Sequence, residues 1–332
     1  MGFKAGKLPW NFLSKLLAML PTSDIDLIMG PGVGEDAAVI RFKDGFLVIH
    51  TDPITAASRR IGWLAIHIAA NDIAVRGVKP RWFLPVVLLP ENISEDEITS
   101  IFKDMGEALN EIDGIVVGGH TEVTPGLDRP IITVTAAGYT SGRVILTRDA
   151  KPGDEILIVG DIGAEGVSVV AWDFPDLLLN RGVIKHVVDK AKDYLWHISV
   201  VDKALTIKEY VNTMHDPTEG GILQGLREIA LASNTSIVLD LDNIVLNDIV
   251  LTITKALDLD PLKILSSGTL IATVPAENKE IVKERLEEKR YPYMFCGYVE
   301  KGERGKVFLR RNGNIVSVID NDIIDEIYKL WG

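Results

Sequence analysis

The chain has 332 residues and a mass of 36.4 kDa, enough for two domains. With 47% hydrophobic and 25% charged residues it is a folded protein, not a disordered one. Thirty-five Lys and Arg against 47 Asp and Glu leave a net charge of −12, which argues against a nucleic-acid partner.

The N-terminus carries Lys4 and Lys7 ahead of a Leu-rich stretch, in the manner of a signal peptide. Asn11, Ser14 and Lys15 interrupt that stretch, however, and Trp10, Leu13, Leu16, Leu17 and Leu20 recur at helical spacing. A short amphipathic helix docked on the body is expected. No apolar run approaches the ~20 residues of a membrane span. A single cysteine, Cys296, can form neither an internal disulfide nor a thiolate metal site, and suits a reducing cytoplasm.

Strands and helices then alternate. Phe46 to Thr51 reads as an apolar strand ending at Asp52, and Ile61 to Val75 as a buried helix. Trp82 to Leu89 reads as a strand in which Pro85 demands an edge or a bulge. Ser94 and Glu97 form a capping box, followed by a helical stripe from Ile98 to Ile112. Ile115–Val117, read as buried, and Ile131–Tyr139 are the next strands. The turn Lys151-Pro152-Gly153-Asp154 precedes the strand Glu155–Val159, and a boundary near residues 142–150 divides the chain into domains 1–147 and 148–332. In the second domain, helices are expected at Gly163–Trp172, Ser199–Val211, Gly220–Ala232, Ala276–Glu288 and Ile323–Leu330. Strands are expected at Ser236–Leu241, Thr269–Val274, Tyr293–Val299 and Lys306–Arg310. The pattern is α/β or α+β, without the regular long strands of a triosephosphate-isomerase barrel.

The unusual residues are acids and glycines at the ends of apolar segments. Gly32 and Gly34 permit close approach to a phosphate, and Asp36 offers a hard oxygen ligand; a tight turn with a solvated acid is the plainer reading. Asp52 ends a strand before Pro53, a position suited to Mg2+ or to capping a turn. Asp72 lies inside an otherwise apolar helix, where a charge is costly unless paired or metal-bound. His67, one turn earlier, reads as a satisfied core histidine. Gly118-Gly119-His120-Thr121-Glu122 joins a permissive backbone to a proton carrier and a carboxylate, or is a plain loop. His215-Asp216-Pro217-Thr218-Glu219-Gly220-Gly221 runs into a helix; Thr218, Gly220 and Gly221 would make an anion site at its start, with Asp216 beside them. Scattered acids hold a polyphosphate only through bridging Mg2+, so Mg·ATP and phosphoryl transfer are the chemistry this set suits.

Taken in order, Gly34-Glu35-Asp36-Ala37-Ala38, Thr51-Asp52-Pro53-Ile54-Thr55, Ile61-Gly62-Trp63, Asn71-Asp72-Ile73-Ala74, Gly77-Val78-Lys79-Pro80-Arg81-Trp82 and Gly118-Gly119-His120-Thr121-Glu122-Val123 resemble the HypE family of hydrogenase maturation proteins. Asp216-Pro217-Thr218-Glu219-Gly220-Gly221 and Ser267-Gly268-Thr269-Leu270 are similar to its second domain. The wider superfamily includes aminoimidazole ribonucleotide (AIR) synthetase, selenophosphate synthetase and thiamine-monophosphate kinase. The resemblance implies a two-domain AIR synthetase-like fold whose N-terminal domains pair into a dimeric β-barrel, with ATP and Mg2+ between the domains. It implies Asp36, Asp52, Asp72 and Asp216 as metal or phosphate ligands and Glu122 and Thr121, beside His120, at the reacting centre. It further implies Gly220 and Gly221 as a phosphate cradle and Arg148 near the nucleotide.

The expected function is ATP-driven activation of an oxygen on a small-molecule acceptor. A kinase of the thiamine-monophosphate type, or a nucleotide-binding accessory that works with a maturation partner without turnover, are the alternatives. The HypE family carries its substrate on a cysteine in a C-terminal tail, whereas these residues end Ile327-Tyr328-Lys329-Leu330-Trp331-Gly332. Cys296 sits in a strand-like run and is expected to be buried, so the tail-cysteine dehydration is not expected.

Overall fold

The computed structural model describes residues 10–55 and 59–330; Lys4, Lys7, Trp331 and Gly332 lie outside them. The chain opens with α1 (Trp10–Leu17), β1 (Leu27–Met29), β2 (Ala38–Phe42), β3 (Gly45–Ile54) and α2 (Ile61–Ala74). It continues through β4 (Trp82–Leu89), α3 (Glu95–Ile112), β5 (Ile115–Val116), β6 (His120–Val123) and β7 (Ile131–Thr140). The expected N-terminal helix is present, but Leu16 and Leu20 remain exposed. The strands form one sheet in the order β1-β2-β3-β7-β4-β5, with β6 also on β4. Among the described residues this sheet does not close into a barrel.

Every residue of α2 is buried, as an almost wholly apolar helix requires, and it packs on β3, β7 and α3. Ser94 and Glu97 make the expected capping box at the start of α3.

Pro85 corrects the expectation of an edge or bulge. β4 is interior, paired with β7 on one side and with β5 and β6 on the other. Phe83 and Leu89 give their carbonyls to the amides of Val117 and Thr124, so the odd positions of β4 face β5 and β6. The missing N–H of Pro85 therefore falls in the gap between those two short strands, at Gly118 and Gly119. The interruption lies in the neighbour, not in the proline's own strand. The segment Ile115–Val117 is not buried either: these three residues, with Leu84 and Val123, are 39–54% exposed and form an apolar face.

The second half contains β8 (Glu155–Val159), α4 (Ala164–Asp173), α5 (Pro175–Asn180), α6 (Lys185–Lys192), α7 (Val201–Ile207) and β9 (Thr213–His215). Then come α8 (Gly221–Ala232), β10 (Ser236–Asp240), α9 (Asp248–Leu257), β11 (Leu270–Val274), α10 (Lys279–Glu288), β12 (Tyr293–Glu300), β13 (Lys306–Arg311) and β14 (Asn314–Ile319). Its sheet runs β14-β13-β10-β12-β8-β11-β9. α7 stops at Ile207 rather than Val211, because Asn212 must give its amide to Thr273 to bring β9 onto the edge of β11. The expected last helix is reduced to one 3-10 stretch, Glu326–Leu330.

The two sheets share a core. One cluster of buried apolar side chains runs from Val39 and Ile73 to Leu157, Ile198, Leu270 and Leu286. Polar bonds reinforce it. Trp63 Nε1 donates to the Leu195 carbonyl at 3.0 Å, Asn71 Nδ2 donates to the Ile198 carbonyl at 2.8 Å, and Val200 N donates to Asn71 Oδ1 at 2.8 Å. Asn71→Ala strands a buried donor and a buried acceptor together. The expected cost is about 2–3 kcal/mol, read as a lower urea midpoint with an unchanged slope.

Candidate functional site

Two clusters of titratable side chains form, one joining the two halves of the chain and one within the first half. In the first, Asp36, His215 and Asp216 place ligand atoms within 4.8 Å of one another. Asp36 precedes β2, whereas His215 ends β9, so the cluster joins residues of both halves. Gly34 makes the approach possible: its φ is +69°, and a Cβ there would lie 2.8 Å from the carbonyl oxygen of Glu228 in α8.

Arg76, fully buried just after α2, organises the surroundings. It donates to Glu35 Oε2 at 3.0 Å, to Asp36 Oδ2 at 2.7 Å and to the Met214 carbonyl at 2.9 Å. Glu35 in turn accepts the amides of Thr147 and Arg148 at 3.2 and 3.3 Å. Arg148 thus reaches the cluster by its main chain, while the residue is exposed.

His215 is clamped from both sides, with Nδ1 2.7 Å from Asp36 Oδ1 and Nε2 2.8 Å from Glu228 Oε2. Burial opposes its charge, but the two carboxylates overcome this and raise its pKa to about 10. Both ring nitrogens thus face carboxylates, an arrangement that suits the protonated ring. Burial also opposes the charge of Asp36, yet His215 and Arg76 hold its pKa below the usual value. Asp216 is the opposite case. Burial, with the Asp36 charge next to it, pushes its pKa up to about 8. Both its oxygens are buried and find no hydrogen-bond partner elsewhere among the described residues. A carboxylate in this state fits a divalent cation shared with Asp36, hard oxygen ligands being what Mg2+ prefers.

The second cluster is His50, Asp52 and Asp72. His50 and Asp52 are two apart on β3 and share a face, and Asp72 comes from the last turn of α2, with Oδ2 3.2 Å from His50 Nε2. Of the residues singled out in the sequence, Asp36 meets Asp216 and Asp52 meets Asp72. His120, Thr121 and Glu122 join neither cluster. They lie on exposed β6, where His120 Nε2 is 3.1 Å from Glu122 Oε2 and Thr124 donates to Glu122 Oε1 at 3.0 Å. Those bonds hold the Glu122 carboxyl below its usual pKa, which weakens it as a base.

At the start of α8, where Thr218, Gly220 and Gly221 are expected to meet an anion, one amide is engaged by the chain's own Asp325. Gly220 N donates to Asp325 Oδ2 at 2.8 Å, and Gly221 N donates to the Thr218 carbonyl at 3.1 Å. A Cβ on Gly221 would lie 2.7 Å from the carbonyl oxygens of Leu262 and Ile264, so close packing explains the glycine. His67 is buried as expected but not satisfied: neither ring nitrogen has a hydrogen-bond partner among the described residues, and burial lowers its pKa to about 4.

Arg76, Glu35, His215, Glu228 and His50 went unassigned in the sequence. A signal existed for two of them: a buried arginine closing an apolar helix, and a histidine at the i−2 position from Asp52 on one strand face.

Residues 34–140 match the AIR synthase related protein N-terminal domain, and residues 151–310 match the AIR synthase related protein C-terminal domain. The chain belongs to the AIR synthase-related family and has its two-domain mixed α/β fold. It is 30% identical over 259 residues to carbamoyl dehydratase HypE of Azotobacter vinelandii, covering 76% of this chain and 74% of that one. It is 28% identical over 291 residues to thiamine-monophosphate kinase of Pyrococcus horikoshii, covering 84% and 86% respectively. A crystal structure of hydrogenase maturation protein HypE in complex with ATP superposes with a TM-score of 0.66 at 25% identity, over 86% of this chain and 89% of that one. Among the described residues no helix is long and apolar enough to cross a membrane.

Proposed function

We propose that this protein is an ATP- and Mg2+-dependent enzyme that activates an oxygen of a small-molecule acceptor by phosphoryl transfer. The observation carrying this reading is Asp216, whose two buried oxygens lie close to Asp36 from the other half of the chain and find no hydrogen-bond partner elsewhere among the described residues. The relatives that use or bind ATP support it. In this reading Asp36 and Asp216 would hold one Mg2+, and Asp52 and Asp72 another. Mg2+ held there would offset negative charge on a transferring phosphoryl group.

The protein's own groups do the positioning. Arg76 fixes Asp36 and Glu35, and Glu35 fixes the main chain at 147–148, beside which the Arg148 side chain reaches the nucleotide. His215 keeps Asp36 ionised and so ready to bind a cation. Two copies pair through the apolar face around Leu84, Ile115, Val117 and Val123, which brings the exposed His120, Thr121 and Glu122 under cover. Static light scattering then gives twice the 36.4 kDa chain mass.

The reading is tested by calorimetric titration of a non-hydrolysable ATP analogue with and without Mg2+. Metal-dependent binding with micromolar affinity is expected, and an absence of any adenine-nucleotide binding refutes it. Product analysis with candidate acceptors then separates oxygen activation from a thiamine-monophosphate-type kinase, whose product is a phosphate ester.

The only thiol in these 332 residues takes no part. Cys296 is fully buried in β12, and burial, with the nearby Asp240 charge, pushes its pKa up to about 12. Cys296→Ala should keep turnover and nucleotide binding at a stability cost of about 1 kcal/mol. Carbamoyl transfer to Cys296, seen by intact-protein mass spectrometry, would contradict this.

A further inference from the structure

A cavity of about 380 Å3 opens between Glu111 of α3, the end of β8, the segment from Tyr194 to Lys203, and the start of β12. None of Asp36, Asp52, Asp72 or Asp216 lines it. Its volume lies within the range of small-molecule sites.

Three carboxylates, on Glu111, Asp161 and Asp202, line it against one ammonium, that of Lys203. The ammonium is already engaged: Lys203 is buried, donates to the Gly268 carbonyl and lies in the field of Asp161. Asp202 is partly offset, since it accepts the Tyr291 hydroxyl at 2.6 Å and lies 3.2 Å from Lys289 Nζ. Glu111 and Asp161 keep the balance negative.

Tyr194, Trp196 and Tyr291 supply aromatic walls. Ser267 also lines the cavity and is 2% exposed; its hydroxyl lies beside the buried Glu165 carboxylate, and a hydroxyl that gives its proton there keeps lone pairs to accept with. The Ser267 amide is fixed by Glu165 Oε2 at 2.9 Å, so this hydroxyl is held on a rigid support.

We propose that this cavity binds a small planar nitrogenous cation, an amidinium or a protonated ring amine. The aromatic walls would flank the plane of the ligand. Asp161 and Glu111 would accept its N–H groups, and Ser267 Oγ would take one more. Carboxylates and π-faces together select a cation over a neutral or anionic ligand of the same shape. An anion would meet a net surplus of carboxylate charge and an ammonium already bound to a carbonyl.

The probe is benzamidine, titrated calorimetrically into the full chain, with benzamide and benzoate as its neutral and anionic counterparts. Benzamidinium is expected to bind in the millimolar range or tighter, benzamide at least about 10-fold more weakly, and benzoate not measurably. Asp161→Asn and Glu111→Gln should each weaken benzamidinium about 10-fold, and Ser267→Ala about 3- to 10-fold. Glu111 is half-exposed on its helix, so Glu111→Gln remains informative if a buried variant fails to fold.

Equal affinity for the three probes overturns the proposal, as does unchanged affinity in folded Glu111→Gln and Asp161→Asn. So does the absence of benzamidine binding up to ~10 mM, or competition between benzamidine and the Mg2+-bound ATP analogue. The site does not depend on the nucleotide reading: benzamidine binding without nucleotide binding refutes that reading alone.

Discussion

Asp216→Asn is expected to raise the melting temperature of the metal-free protein while abolishing Mg2+-dependent nucleotide binding. The two effects have one cause. The Asp216 carboxyl is raised from 3.8 to about 8, so between those values the folded chain keeps a proton that the unfolded chain releases. Stability then falls as pH rises from about 4 to 8. His215 adds to this trend: its pKa is raised from 6.5 to about 10, so its contribution is full below 6.5 and is lost as pH rises through 10. Asparagine has no charge to bury, which removes the Asp216 part of the slope. At pH 8 the variant should gain on the order of 2 kcal/mol, or about 3 °C for a chain of this length. Wild-type protein recovers the difference with Mg2+, since a cation at 100 times its Kd contributes about 2.7 kcal/mol. The variant should show no such rise and at least about 100-fold weaker metal-dependent nucleotide binding. Scanning calorimetry at pH 5 and pH 8, with and without Mg2+, checks both halves. A lower melting point of the metal-free variant at pH 8 would sink the account.

Arg76→Met is expected to be the most damaging single change. The side chain is fully buried and neutralises Glu35 and Asp36, which are 4% and 8% exposed. Methionine fills much of the volume but leaves two carboxylates facing each other, at a cost of about 3–5 kcal/mol. Arg76→Lys should recover less than half of this, because an ammonium cannot reproduce the forked geometry that reaches both acids and the Met214 carbonyl. Denaturant unfolding measures the loss. Since both carboxyls take up protons more readily without the arginine, the deficit should shrink towards pH 4.

Much of the fold was legible because it rests on local patterns. The apolar run of α2, the capping box of α3 and the compact strands β3, β7 and β8 lie where sequence periodicity places them. The helices α5, α6 and α9 were not foreseen; α6 reads Lys-His-Val-Val-Asp-Lys-Ala-Lys and buries only Val188 and Ala191, too narrow a stripe to stand out. The site was half legible. Acids at strand ends announce themselves, but Asp36 and His215 are 179 positions apart, and nothing local shows that they touch. Gly220 and Gly221 are hard to read for a related reason. A glycine pair before a helix signals a close approach without saying what approaches, and here Asp325 and the 262–264 backbone do.

The bonds from Trp63, Asn71 and Arg76 to the carbonyls of Leu195, Ile198 and Met214 bear on motion as well as stability. One helix and the residue that follows it are stitched along their length to the other half of the chain, and the apolar core is continuous across the seam. Such a joint opposes hinge bending between the halves, so the two halves should lose their structure together, in a single calorimetric peak rather than two.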